Sequence, residues 1–332
     1  MKQIITITLV LLFVSVGLKA QQEAQFTQYM FNHMSINAGY AGVGKENQEI
    51  CANIFARHQW LGFKDNDNAV HPQTYLLSVH SKLNKIYGGI GLTVHSDKIG
   101  YFNNVGVKLA YSYHYYSPFD LPGVLGIGLD FGILNQQLDY GKLIAIDQSD
   151  VKLQGGQEST MAFDMGFGLF YKLPGTMYAA ISSTQLLEMQ GELPSPLEAP
   201  KLRRHYFFTG GYEYTIPSYP SVVLKPSLFI KTDFVSAQYD ITCLAEYNNI
   251  YWGGLSYRVQ DAVALILGAK PFSNTASKEA ESLKVGYSYD FTTSAIGRNG
   301  RSSGSHEFML GYCFQVDIPK PPPTRYKNTR FL

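Results

Sequence analysis

The chain has 332 residues, a net charge of +1 and three cysteines, with 14% aromatic and only 16% charged residues. Balanced charge offers no basic field for nucleic acid, and three cysteines do not make a disulfide framework. The charged fraction lies well below the ~25% of an ordinary soluble domain, while 24 Tyr, 20 Phe and 31 Gly are conspicuous.

Met1-Lys2-Gln3 is a short basic start, Ile4 to Leu18 an almost unbroken apolar run, and Lys19-Ala20 closes it. The run suits a signal-peptide core and falls short of the ~20 residues of a spanning helix. Residues 1–20 are therefore read as a signal peptide cleaved after Ala20, and the mature chain as exported. No cysteine near the junction suggests a lipid anchor, and no later apolar run is long enough to span as a helix.

Residues 21–47 read as a periplasmic strap. Its stretch AQFTQYMFNHMSINAGYAG, Ala24 to Gly42, is too polar to cross a membrane and alternates too poorly for a strand. It nevertheless carries Phe26, Tyr29, Met30, Phe31, Met34 and Tyr40 beside Asn32 and Asn37. Phe26, Tyr29, Met30 and Met34, spaced i, i+3, i+4, i+8, fit one face of a short helix. The expectation is a plug or partner-contact segment that packs into or across the periplasmic mouth, with its amides against inward charges.

From residue 48 to 316 the dominant signal is period two. Leu125, Ile127, Leu129, Phe131 and Ile133 alternate with Gly126, Gly128, Asp130 and Gly132. Phe163 to Tyr171, Leu283 to Phe291 and Phe308 to Phe314 repeat the pattern. One face is large and apolar; the other is Gly, Ser and isolated charges. A soluble sandwich would instead show an evenly polar outer face. The pattern fits an antiparallel up-and-down transmembrane β-barrel of about fourteen strands, apolar outside and small or charged inside. Without spanning helices, a closed barrel is the remaining way to satisfy the backbone in lipid.

Connections agree. With both chain ends periplasmic, Leu83-Asn84-Lys85, Leu173-Pro174-Gly175, Pro217 to Pro220 and Asn248-Asn249 are short periplasmic turns. Gln59 to Pro72, Leu134 to Thr160, Gln185 to Leu202 and Thr292 to Ser305 are long and lie opposite. Pro271 to Ser282 is the exception, read as an insertion on the short side. Residues 317–332 form a Pro-rich, basic periplasmic tail with Arg325, Tyr326, Arg330 and Phe331 as docking candidates.

No catalytic constellation emerges. The eight His are scattered, His306-Glu307 lacks a second His for a zinc helix, and Asp65-Asn66-Asp67-Asn68 lacks the Gly and bidentate Glu of a calcium loop. No cofactor or metal is expected. Lys108, Asp130, Asp164, Glu213, Lys225, Glu246, Arg258, Lys284 and Glu307 fall on the small-residue face. Facing lipid, the basic ones would cost ~2–4 kcal/mol near the midplane. Inside they can form a salt-bridge network closing the lumen, which is preferred here over an ion or solute path. Cys51 and Cys313 share the inward parity near the periplasmic ends of the first and last strands. Register decides whether they pair, and that stays open at this point.

The segment Gln25 to Asn32, continuing through Ile36 to Gly42, resembles the N-terminal signature of the PorP/SprF family of type IX secretion outer-membrane proteins from Bacteroidetes. The likeness recurs at Arg57 to Phe63, Gly286 to Asp290 and Ser303 to Leu310, and the basic Pro-rich end fits too. His33 and Gly39 stand where the family pattern has Pro. The resemblance implies a non-enzymatic integral outer-membrane protein that assists export or surface attachment of particular cargo, including gliding-type adhesins. Implied partners are type IX secretion subunits of the periplasm and outer membrane, the secreted cargo and outer-membrane lipid. A porin or hydrophobic-solute channel is the alternative.

Overall fold

A computed structural model describes residues 23–44, 49–65, 68–139, 156–191, 201–272, 283–295, 297 and 302–315. Residues 1–20, read as a signal peptide, and residues 317–332, read as the tail with Arg325, Tyr326, Arg330 and Phe331, lie outside the described residues, as does most of the Pro271–Ser282 connection.

The alternating segments form fourteen antiparallel strands. They are β1 (Glu49–His58), β2 (Gln73–Leu83), β3 (Gly88–Ile99), β4 (Phe102–Tyr116), β5 (Val124–Asp139), β6 (Gln157–Leu173) and β7 (Met177–Thr184). There follow β8 (His205–Tyr212, resuming as Tyr214–Ile216 after Glu213), β9 (Tyr219–Thr232), β10 (Ala237–Tyr247), β11 (Tyr251–Arg258), β12 (Ala262–Ala269), β13 (Lys284–Thr292) and β14 (Ser305–Gln315). Each strand pairs with its neighbours in sequence, and β1 pairs with β14, so the sheet closes. Closure leaves no edge whose backbone groups would face lipid unpaired.

Alternation fixes the faces. On β5, Ile127, Leu129, Phe131 and Ile133 point outward, while Gly126, Gly128 and Asp130 are buried inside. Leu109, Phe163, Leu255 and Phe308 are likewise more than half exposed on the outer surface. A contiguous apolar band of this kind needs a hydrocarbon environment. β5 and β6 are longer than their alternation alone suggests, reaching Asp139 and starting at Gln157. The polar residues Asn135, Gln136, Gln137, Ser159 and Thr160 continue the ladder there.

The barrel has two ends. The terminal end carries the start of β1 and the end of β14; the distal end carries the connections after β1, β5, β7 and β13. The strap sits inside the barrel. It has three separate single turns, Tyr29–Phe31, His33–Ile36 and Ala38–Tyr40. The one-faced helix expected from the spacing is absent. Phe26 packs with Phe55, Tyr29 with Phe207 and Phe229, and Met34 with Ala38, Ala41 and Ala110. A segment enclosed by a barrel is buried on every side, so it has no need of a single apolar face. Local capping sets the breaks: Asn37 Oδ1 accepts from the Gly39 N–H at 2.8 Å and starts the last turn.

Candidate functional site: the strap-filled lumen

The strap runs the length of the lumen. At its N-terminal end Lys231 Nζ, near the distal end of β9, donates to the Glu23 carbonyl at 3.0 Å. Thr184 Oγ1, the last residue of β7, donates to Glu23 Oε1 at 2.8 Å. Gln25 donates to Gln238 and accepts from Gln59, both on the distal rim. At the other end Gly42 N–H donates to His80 Nδ1, and a Cβ at Gly42 would lie 2.8 Å from the Ser81 carbonyl, close to the terminal turn after β2. The strap therefore packs into the barrel with amides against an inward charge, as expected, but it does not stop at the mouth beside the chain ends: it climbs through the lumen, where the walls satisfy its polar backbone.

Below the distal rim an ionic clamp holds the strap. The two carboxylate oxygens of Glu307 accept the consecutive N–H groups of Thr27 and Gln28 at 2.8 and 2.9 Å. Arg57 bridges Glu307 at 3.0 Å and Asp290 at 2.7 Å, and also donates to Thr27 Oγ1. Arg258 joins Asp290 at 3.2 Å, Asp240 at 3.1 Å and Asp261 at 3.4 Å. Arg57, Glu307 and Asp290 are at most 1% exposed. Such charges are tolerable in a dry interior only when each is paired; the strap supplies further partners to Glu307 and Arg57, while Arg57 Nε is left without one.

Farther down, wall side chains continue to hold main-chain atoms. Ser182 donates to the Ile36 carbonyl, Ser112 to the Gly39 carbonyl, and His114 Nε2 lies 2.9 Å from the Ala41 carbonyl. Asn37 Nδ2 reaches the carbonyls of Leu169 and Ile181. Two of the inward glycines of β5, Gly126 and Gly128, are explained here. A Cβ at Gly126 would stand 2.0 Å from the Gly39 carbonyl oxygen, and one at Gly128 2.3 Å from the Ala38–Gly39 peptide. Only a wall without side chains lets the strap backbone approach so closely.

His33 occupies a box of Tyr40, Phe170 and Tyr178, with ring centroids 5.2, 5.0 and 4.8 Å away. Between strap and wall, toward the terminal end, lies a vestibule of ≈ 230 Å³. Met30, Phe31 and Tyr40 face it from the strap, and Lys225, Glu246 and Lys284 from the wall.

All nine charges expected inside stand on the lumen side, but they form no single network. Lys108 pairs with Asp164 at 2.5 Å, with Asp130 on the adjoining strand. Lys225 pairs with Glu246 at 3.1 Å and lies 3.9 Å from Glu213. Arg258 and Glu307 belong to the clamp, and Lys284 lines the vestibule. What fills the lumen is the strap, with the ion groups arranged around it. The strap candidates Phe26, Tyr29, Asn32, Met34 and Asn37 are buried, whereas Met30, Phe31 and Tyr40 are half-buried. Arg57, Asp240, Asp261 and Asp290 were not among the expected charges. They lie near strand ends rather than mid-strand, yet Arg57, Asp240 and Asp290 share the inward parity that would have found them. Cys51 and Cys313 are directly opposite in the β1–β14 register and joined as a disulfide; Cys243 is free.

Several solved barrels share this general shape. The toluene transporter TbuX of Ralstonia pickettii is 10% identical, with a TM-score of 0.47 over 86% of this chain and 93% of its own. Omp33 of Acinetobacter baumannii is 9% identical, with a TM-score of 0.43 over 82% and 100%. The translocator domain of the autotransporter NalP from Neisseria meningitidis is 8% identical, with a TM-score of 0.43 over 87% and 96%. No curated protein sequence matches the chain. The model of the family described as type IX secretion system membrane protein PorP/SprF matches residues 18–312. That span takes in the strap, the glycine seat, the clamp and nearly every strand, and the chain belongs to the PorP/SprF family of integral outer-membrane proteins of type IX secretion.

Proposed function

We propose that this protein is a non-enzymatic accessory of type IX secretion that assists export or surface attachment of a specific cargo, a gliding-type adhesin being one candidate. The observation that carries the reading is the family match across the strap and barrel together. The strap-filled lumen supports it over a diffusion channel: Gly126, Gly128, the clamp, Ser112 and Ser182 engage the strap rather than an open path. The barrel anchors the protein in outer-membrane lipid. The periplasmic faces of the strap and tail are then available to secretion subunits, and the distal loops to cargo.

Deleting the gene should remove one large protein from the cell surface and leave other type IX cargo in place, as read by surface proteomics. An unchanged surface would overturn the cargo role. Steady conductance of the intact protein in planar bilayers would favour the channel instead.

A further inference from the structure

The strap is joined to β1 at the terminal end, yet its first described residues are fastened at the distal end. Glu23 is held by Thr184 and Lys231, and Gln25 by Gln59 and Gln238. Between them Thr27 to Ala38 is largely buried, while Glu23, Ala24 and Gln25 are half-buried and Gly44 is exposed. This is a thread with partly exposed residues at each mouth. The distal end also carries four of the five long connections, all but Pro271–Ser282; long connections in outer-membrane barrels face the cell exterior, whereas short turns face the periplasm.

We infer that the strap is transluminal and that its N-terminal end, around Glu23–Gln25, is displayed on the cell surface. A ligand outside the cell therefore reaches the strap directly, at a rim where the amide side chains of Gln25 and Gln238 are half-buried, without entering the lumen. The same thread borders the periplasmic vestibule with Met30, Phe31 and Tyr40. This inference concerns topology and stands whether or not the cargo role does.

Impermeant maleimide labelling tests it in a Cys243→Ser background, in which Cys51 and Cys313 are consumed by their disulfide. Gln22→Cys, one residue beyond Glu23, should label on intact cells to the same extent as Val235→Cys in the exposed distal connection between β9 and β10. Lys45→Cys, next to Gly44, should label only after the outer membrane is permeabilised. Gln25→Cys is the second variant, used if Gln22→Cys lowers the yield of folded barrel on unheated gels. The inference is overturned if the folded Gln22 and Gln25 variants label only after permeabilisation, or not at all. Label on Val235→Cys confined to permeabilised cells would overturn it too, by showing the barrel inverted.

Discussion

His33 shows how the enclosure acts on a single side chain. Its ring is 4% exposed and its Nδ1 has no hydrogen-bond partner. His33→Phe, which keeps a ring in the aromatic box and removes the orphaned nitrogen, should leave the unfolding temperature of the barrel unchanged or raise it. His33→Ala, which opens a cavity among Tyr40, Phe170 and Tyr178, should cost about 2–5 kcal/mol. A His33→Ala protein as stable as its parent would show that the box does not hold the strap.

The strap and the β5 wall are matched elements. Neither is intelligible alone: the strap has too little regular structure to fold by itself, and the wall has too little side chain to close a lumen. Their fit rests on contact at the glycines. Introducing both Gly126→Val and Gly128→Val should drive the strap from its seat while leaving the outward face and strand pairing intact. The expected readouts are new conductance in planar bilayers and new protease sensitivity within residues 23–44. A double variant that stays closed and protected would refute the seat. Seating also constrains assembly, because a thread held at both mouths is most simply enclosed as the barrel closes around it.

At the scale of the molecule, closure depends on β1 meeting β14, and the Cys51–Cys313 disulfide lies across that seam. The cysteines are 262 residues apart in sequence. A link closing so long a loop removes much unfolded-chain entropy, and about 2–4 kcal/mol is typical. Alkylation of denatured, unreduced protein should modify only Cys243, and reduction should expose three thiols. Reduction should also lower the temperature at which the compact barrel band disappears on gels. Three reactive thiols before reduction would rule out the staple. An exported chain provides the oxidising compartment that the bond requires.

Alternation by itself determined the barrel, its fourteen strands and the inward face of every expected charge, because a period of two is a local property of the backbone. The inward parity of Cys51 and Cys313 was equally legible; that they face one another is a matter of register, which spacing does not encode. The strap's aromatic content announced a buried segment, but not its course. Its spacing suggested a helix, since periodicity assumes one buried side, and a lumen buries all of them. The inward glycines were visible as a small-residue face, and only the tertiary structure explained them, by placing the Ala38–Gly39 backbone against Gly126 and Gly128. Likewise the charges were legible singly, but their grouping around Thr27 and Gln28 was decided in three dimensions. It depends on residues from β1, β11, β13 and β14 converging on one backbone, over distances in sequence that no local pattern spans.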